Sequence, residues 1–569
     1  MIIPPNFNRI NVHKLHVGNK VYEDPTVPDG FYDSISSLKT LDQLKLSSSS
    51  HFQSAKDDYR NILKICSSGC PVPPISLQKT HEILKKLRPS VSDLYSITAY
   101  HYLHGGDSAL EHLHLLLNGL IADINNLTVD ELNTVWACIL FKGHGKDRSV
   151  DRSYRTISTC SFVSKVLDTY IADLYSSTWN ADTCTTQFQK RSSSHDLAAL
   201  LLTETINHSM TFLSKPVYAL YLDAMSAFDL LLHELLIGKL FSTGIHDQGL
   251  TMIATRLNNR KTVCEWKKIL MGPITDECGV EQGGISSSDY YKVYNNQQLQ
   301  EAQESLLGVP IGPVTISSIG QADDVVLLSN DIYALQALLD LSLSYCRKNH
   351  VTLCSEKTKL QVYSTKSTEM EAFYSKIISP ITMEGKQLNF VSETEHVGVV
   401  RSTHGNLPHI LERFTAHRKS MFAILPLGLA RRHRANPAAA LRAHQIYCTP
   451  VLLSGLSSMI LTNKEIKFIT QKIKTTLQKL QKLHDRTPPA VVYFLGGHLP
   501  GEALLHQRQL TIFGMVSRLP DSAINKIAQW TLITAKFSTS SWFFKIRELT
   551  LLYGLPSPIS LLRCPPSKT

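Results

Sequence analysis

"SIGQADDVVLLSND", residues 318–331, sets Asp323 and Asp324 side by side between two apolar runs. The flanks have strand character, and the pair falls where a tight turn would join them. Two like charges packed into a dry hairpin repel, and one of them would tend to keep its proton. A divalent cation removes that conflict, because hard oxygen ligands share its charge. The pair therefore raises three questions: where a third carboxylate lies, what holds a phosphate, and which surface meets a polyanion.

The bulk of the chain allows all three. At 569 residues it is too long for one core and is expected to hold two or three domains. With 43% hydrophobic and 19% charged residues it belongs with globular chains. A net charge of +10 favours polyanionic partners. The 11 cysteines are scattered. The nearest pair, Cys66 and Cys70, has no second Cys/His pair at zinc spacing, so reduced thiols are expected rather than a metal knuckle. The start, "MIIPPNFNRINVHKLHVG", lacks a basic segment followed by an apolar one, and no apolar run approaches a membrane span.

Along the chain, residues 1–75 begin rich in Pro, Ser and Asp and are expected to form a loose arm. Helical periodicity starts near residue 76, in "SLQKTHEILKKLRPS", and Pro89 should end that helix. In "KPVYALYLDAMSAFDLLLHELLIGKL" the period changes: Val217 to Leu222 is a β run, and Leu230 to Leu240 is helical. Asp223 stands at the end of that β run and supplies the third carboxylate. Asp229, six residues on, is expected to cap the following helix. Residues 463–486 form a helical pattern with Asn463 as a cap. There Ile466, Ile469, Ile473, Leu477 and Leu480 make an apolar stripe, with Lys464, Lys467, Lys472, Lys474, Lys479 and Lys482 around the rest.

Between the two aspartate segments lies "GVEQGGISSSDYYKVYNN" (279–296). The order "YLDxxxAFD", "GVxQGG", "xADD" resembles the palm motifs of reverse transcriptases, specifically those of non-LTR (LINE-type) retrotransposons. "DRSYRTIS" (151–158) and "TQFQKRSSSHDLAALLLTE" (186–204) resemble the family's fingers segments. "LCSEKTKLQVYS" (353–364) and "EHVGVV" (395–400) resemble its later palm and primer-grip elements. The resemblance spans about residues 130–400, and it is the order of the motifs that makes it specific.

The resemblance implies an α+β right-hand polymerase fold. N-terminal helices and fingers would occupy 76–215, a palm with a small antiparallel sheet 216–405, and a helical thumb and C-terminal region 406–569. It implies that Asp223, Asp323 and Asp324 bind two Mg²⁺ ions, which would lower the pKa of a primer hydroxyl and stabilise departing pyrophosphate. Lys357 would protonate that pyrophosphate. Phe228 would exclude a 2′-hydroxyl, Gln282 and Gly283 would lie beneath the incoming nucleotide, and Arg155 and Lys142 would hold its triphosphate. Gln321, where the family usually has Tyr, Phe or Ala, would lie near the primer end. Glu281 replaces a frequent Arg or Lys, and would be unhelpful near a triphosphate unless it points away or pairs with a cation. Lys467 and Lys474 would track duplex phosphates.

The partners so implied are an RNA template, a DNA primer and deoxynucleoside triphosphates. An endonuclease would come from a further domain or another protein, and the work would be nuclear after cytoplasmic synthesis. The basic cluster "LARRHRANP" (429–437) is a weak import signal. Two other readings stay open: a non-catalytic RNA-binding, maturase-like or domesticated derivative, and a two-metal nuclease, against which the motif order argues.

Overall fold

The computed structural model describes residues 12–41, 50–88, 92–93, 95–143, 145–188, 195–365, 381–424, 436–534 and 540–567. Pro89, residues 189–194 of the second fingers-like segment and residues 429–435 of the basic cluster lie outside the described residues. Contacts divide the chain into two compact units, and neither is contiguous. The first comprises 1–183, 224–297 and 345–352, and the second 184–223, 298–344 and 353–569. These divisions do not coincide with the segment boundaries expected at 75/76, 215/216 and 405/406.

In the first unit a four-stranded sheet runs in the order Tyr154–Cys160, Thr134–Phe141, Lys261–Trp266, Ile269–Thr275. Burial alternates along Thr134–Phe141, as a half-buried sheet requires. The covered face meets the N-terminal segment, and this corrects the expectation of a loose arm. Lys14–Val17 pairs with Lys20–Glu23, and helix Val27–Lys39 follows. Leu15, Val27, Phe31 and Ile35 share a core with Ala137, Ile139, Tyr154, Cys264, Trp266 and Ile274. The Phe31 ring centre lies 4.9 Å from that of Tyr154 and 4.5 Å from that of Trp266. Val27, Phe31 and Ile35 recur at helical spacing, a signal that the polar average of the segment conceals. Helix Ser50–Ser67 is also formed, with Phe52 and Cys66 buried in a larger helical core. The helix expected from residue 76 spans Leu77–Lys86, and the Ser76 hydroxyl accepts from Lys79 N–H.

The second unit is built on a five-stranded sheet ordered Lys359–Tyr363, Val217–Leu222, Asp324–Ser329, Ser318–Gln321, Gln187–Phe188. Its pairs are antiparallel except the last. Every residue of Val217–Leu222 is buried, which explains an apolar run without polar alternation. Val217, Ala219 and Tyr221 enter one core with Leu197, Leu200, Leu201 and the C-terminal helices. Tyr218, Leu220 and Leu222 enter another with Leu299, Leu335, Leu338 and Leu339. Each fully buried leucine there contributes about 1.5–3 kcal/mol. Two packed faces fix the register, because a one-residue slip would exchange them.

Two expected caps are corrected. Helix His233–Ser242 begins beyond Asp229, and its first flanking residue, Leu232, makes no side-chain cap. Helix Asn463–Leu480 is capped by Thr462 rather than Asn463. Thr462 Oγ1 accepts from Glu465 N–H, and the Glu465 carboxylate accepts from Thr462 N–H. Ile466, Ile469, Ile473 and Leu477 are its buried stripe. Among the described residues no helix is long and apolar enough to cross a membrane.

Candidate active site

Strands Ser318–Gln321 and Asp324–Ser329 pair with Gln321 opposite Asp324, leaving Ala322 and Asp323 as a two-residue turn. Ala322 takes φ +56°, a left-handed conformation that costs a residue with a Cβ about 1–2 kcal/mol. On the other side of Asp324–Ser329, Val325 pairs with Leu222. Asp324 and Asp223 therefore each lie one residue beyond that pair, at the same end of the sheet. Asp223 is held further by its carbonyl, which accepts from Cys354 N–H at 2.8 Å, and by Lys357 Nζ, which donates to its Oδ2 at 3.1 Å. The second unit thus brings together Asp223, Asp323, Asp324 and Lys357.

The carboxyls of Asp323 and Asp324 reach solvent, but the protein around the hairpin takes enough water from them to raise both. Burial and the charges of Asp323, Asp223 and Glu395 push Asp324 up to about 6. Burial, more than the charge of Asp223, raises Asp323, although its own backbone N–H pulls the other way. Hard oxygen donors in mutual repulsion fit a divalent cation by their chemistry. Among the described residues no group of three acidic, His or Cys side chains is arranged to hold an ion, and Asp223 Oδ2 faces Lys357 instead.

The first unit gathers Phe228, Gln282 and Gly283. Val280 N–H donates to Phe228 O and Gly279 N–H to Leu231 O, both at 2.7 Å. Ser158 N–H donates to Gln282 O at 2.9 Å, fastening the loop to strand Tyr154–Cys160. Gly283 takes φ +120°, and a Cβ there would lie 2.9 Å from Ser158 O, so only glycine suits the position. Phe228 stacks on Tyr291, ring centres 5.2 Å apart and planes at 27°. Arg155 is exposed on the same strand as Ser158, opposite Leu140. Lys142 Nζ donates to Arg152 O at 2.9 Å.

Glu281 does not need to face a triphosphate. Its Oε2 is buried, and the residue lines a small cavity with Asp168, Arg256 and Arg260. Burial raises its carboxyl against the pull of Arg260 and Arg256. Gln321 is half-buried, and its Oε1 has no hydrogen-bond partner among the described residues. On helix Asn463–Leu480, Lys467 is exposed and Lys474 half-buried.

Sequence reasoning missed Asp229 as a partner of the loop: Gln282 Nε2 donates to Asp229 Oδ2 at 3.1 Å. It also missed Glu395 beside Asp324, and the two arginines beside Glu281. An acid in place of a base at 281 was the available signal, since a buried acid demands a cation elsewhere.

Residues 144–391 match the family described as "Reverse transcriptase (RNA-dependent DNA polymerase)". No curated protein matches the chain. Among solved structures, a telomerase from Candida Tropicalis, in complex with a TWJ fragment of telomeric RNA, aligns over 74% of this chain and 68% of its own, at 11% identity and a TM-score of 0.37. The chain carries a reverse transcriptase domain over residues 144–391, and its fold class is the α+β right-hand polymerase fold.

Proposed function

We propose that the chain is an active RNA-directed DNA polymerase of a non-LTR retrotransposon, extending a DNA 3′-hydroxyl on an RNA template. The observation that carries this reading is the placement of Asp223, Asp323 and Asp324 at one end of one sheet, with raised proton affinities at the last two. Asp223, Asp323 and Asp324 would hold Mg²⁺. Cations bound there supply charge neutralisation for the attacking and leaving oxygens of an in-line displacement. Lys357 delivers a proton toward departing pyrophosphate, Arg155 and Lys142 hold the triphosphate, Phe228 screens the sugar, and Gln282 with Gly283 supports the nascent pair. Gln321 lies along the primer end, and Lys467 and Lys474 meet duplex phosphates.

Primer extension tests the proposal, with an annealed RNA template and DNA primer, dNTPs and Mg²⁺, beside Asp323→Ala. Extension by the wild type and its loss in the variant is the expected result. A wild type that binds RNA but extends nothing would replace this reading with that of a non-catalytic RNA-binding derivative.

A further inference from the structure

We propose that Asp229 is a positioning residue for nucleotide selection: its carboxylate holds the Gln282 amide and ties the loop at 279–284 to the segment that carries Phe228. What is selected rests on the polymerase reading above; the tie itself does not. The two segments are zipped together at several points. Val280 N–H and Gly279 N–H donate to the carbonyls of Phe228 and Leu231. Cys278 Sγ lies 3.4 Å from Asp229 O, and a Cβ on Gly279 would come within 2.5 Å of that oxygen, so the strands of chain touch without room for a side chain.

The last link is made by side chains. The terminal torsion of a glutamine is broad, and its amide turns freely unless something selects one face. Asp229 Oδ2 selects it, by accepting from Gln282 Nε2 at 3.1 Å. The charged groups around Asp229 are Lys39, Lys142 and Asp276. None of these replaces the contact to Gln282. Phe228 and Gln282 are thereby built into one body, joined through Asp229.

The test compares Asp229→Leu, Asp229→Asn, Gln282→Met and the Leu/Met double variant, using dNTPs and rNTPs on a primed RNA template. Asp229→Leu should raise the KM for dNTP about tenfold, the loss expected of a hydrogen bond to a charged group. It should also narrow the preference for dNTP over rNTP, with a smaller change in kcat and unchanged primer–template affinity. Asp229→Asn keeps an accepting oxygen and should recover most of the loss, and in the Gln282→Met background Asp229→Leu should add nothing further. A wild-type KM and preference in Asp229→Leu would overturn the proposal, as would equal damage from Asn and Leu, or additive effects in the double variant.

If Asp229→Leu does not fold, hydrogen exchange on Gln282→Met decides. Faster exchange at residues 280–283 than in the wild type supports the tie, and equal exchange overturns it. If the wild type extends no primer, the polymerase reading fails by itself, and the same exchange measurement still decides whether Asp229 holds the loop.

Discussion

Lys357 Nζ donates to Asp223 Oδ2 at 3.1 Å, joining the segment before strand Lys359–Tyr363 to the end of its neighbour, Val217–Leu222. The pair is solvent-accessible, with 63% of the lysine side chain exposed, so it contributes little to stability. Lys357→Met should leave Tm essentially unchanged. Its kcat for primer extension should fall about 100-fold, within the range of a lost general acid. An unchanged kcat would assign the lysine to the ion pair alone.

Asp324 gives a pH test with a definite sign. Its carboxyl rises from the usual 3.8 to about 6 in the folded protein, so the folded state holds the proton more tightly than the unfolded chain. Stability therefore falls as pH rises through that window, and the loss is complete above it. Cation binding requires the ionised form. Mg²⁺ should raise Tm at pH 7.5, do little at pH 4.5, and do little at either pH in Asp324→Asn. An equal Mg²⁺ shift at both values would place the cation elsewhere.

Gly283→Ala tests the close approach of the loop to strand Tyr154–Cys160. The added Cβ meets Ser158 O at 2.9 Å and φ +120° excludes a side chain, so the loop must move. A rise in the KM for dNTP of about tenfold or more is expected, equivalent to about 1.4 kcal/mol. Primer–template affinity should stay as in the wild type. A wild-type KM would show that the loop bears no load in nucleotide binding.

The lysines of helix Asn463–Leu480 should separate by exposure. Lys467 is exposed and Lys474 half-buried. Each phosphate contact contributes about one unit to the slope of log affinity against log salt. Lys467→Ala should lower that slope by about one, and Lys474→Ala by less. Equal slopes in wild type and Lys467→Ala would remove this helix from the duplex path.

The sequence was most legible where local pattern and order suffice. Val217–Leu222 declared itself a strand through an unbroken apolar run, and the aspartates through their place at its end and in the turn. What stayed hidden depends on partners far apart in the chain. Asp229 and Gln282 are separated by 53 positions, and nothing local to either names the other. The N-terminal segment was misjudged because a few large apolar residues, Val27, Phe31 and Ile35, outweigh a polar average once a sheet face is available to them. At Val397 and Gly398 the primer-grip resemblance pointed to a short turn, but its backbone conformation was not legible. Both residues take positive φ, and a β-branched residue does so rarely.

The chain passes from one compact unit to the other at 183/184, 223/224, 297/298, 344/345 and 352/353. Neither unit is therefore a stretch of the gene. A nascent chain cannot complete the first until residue 352 has been made, nor the second until the C-terminal helices close over Val217, Ala219 and Tyr221. A cut made between residues 184 and 352 divides both units, whereas one before 183 or after 353 shortens one of them alone. Domain dissection of this protein requires permuted chains or complementing fragments, and a nick at one crossing is felt on both sides of it.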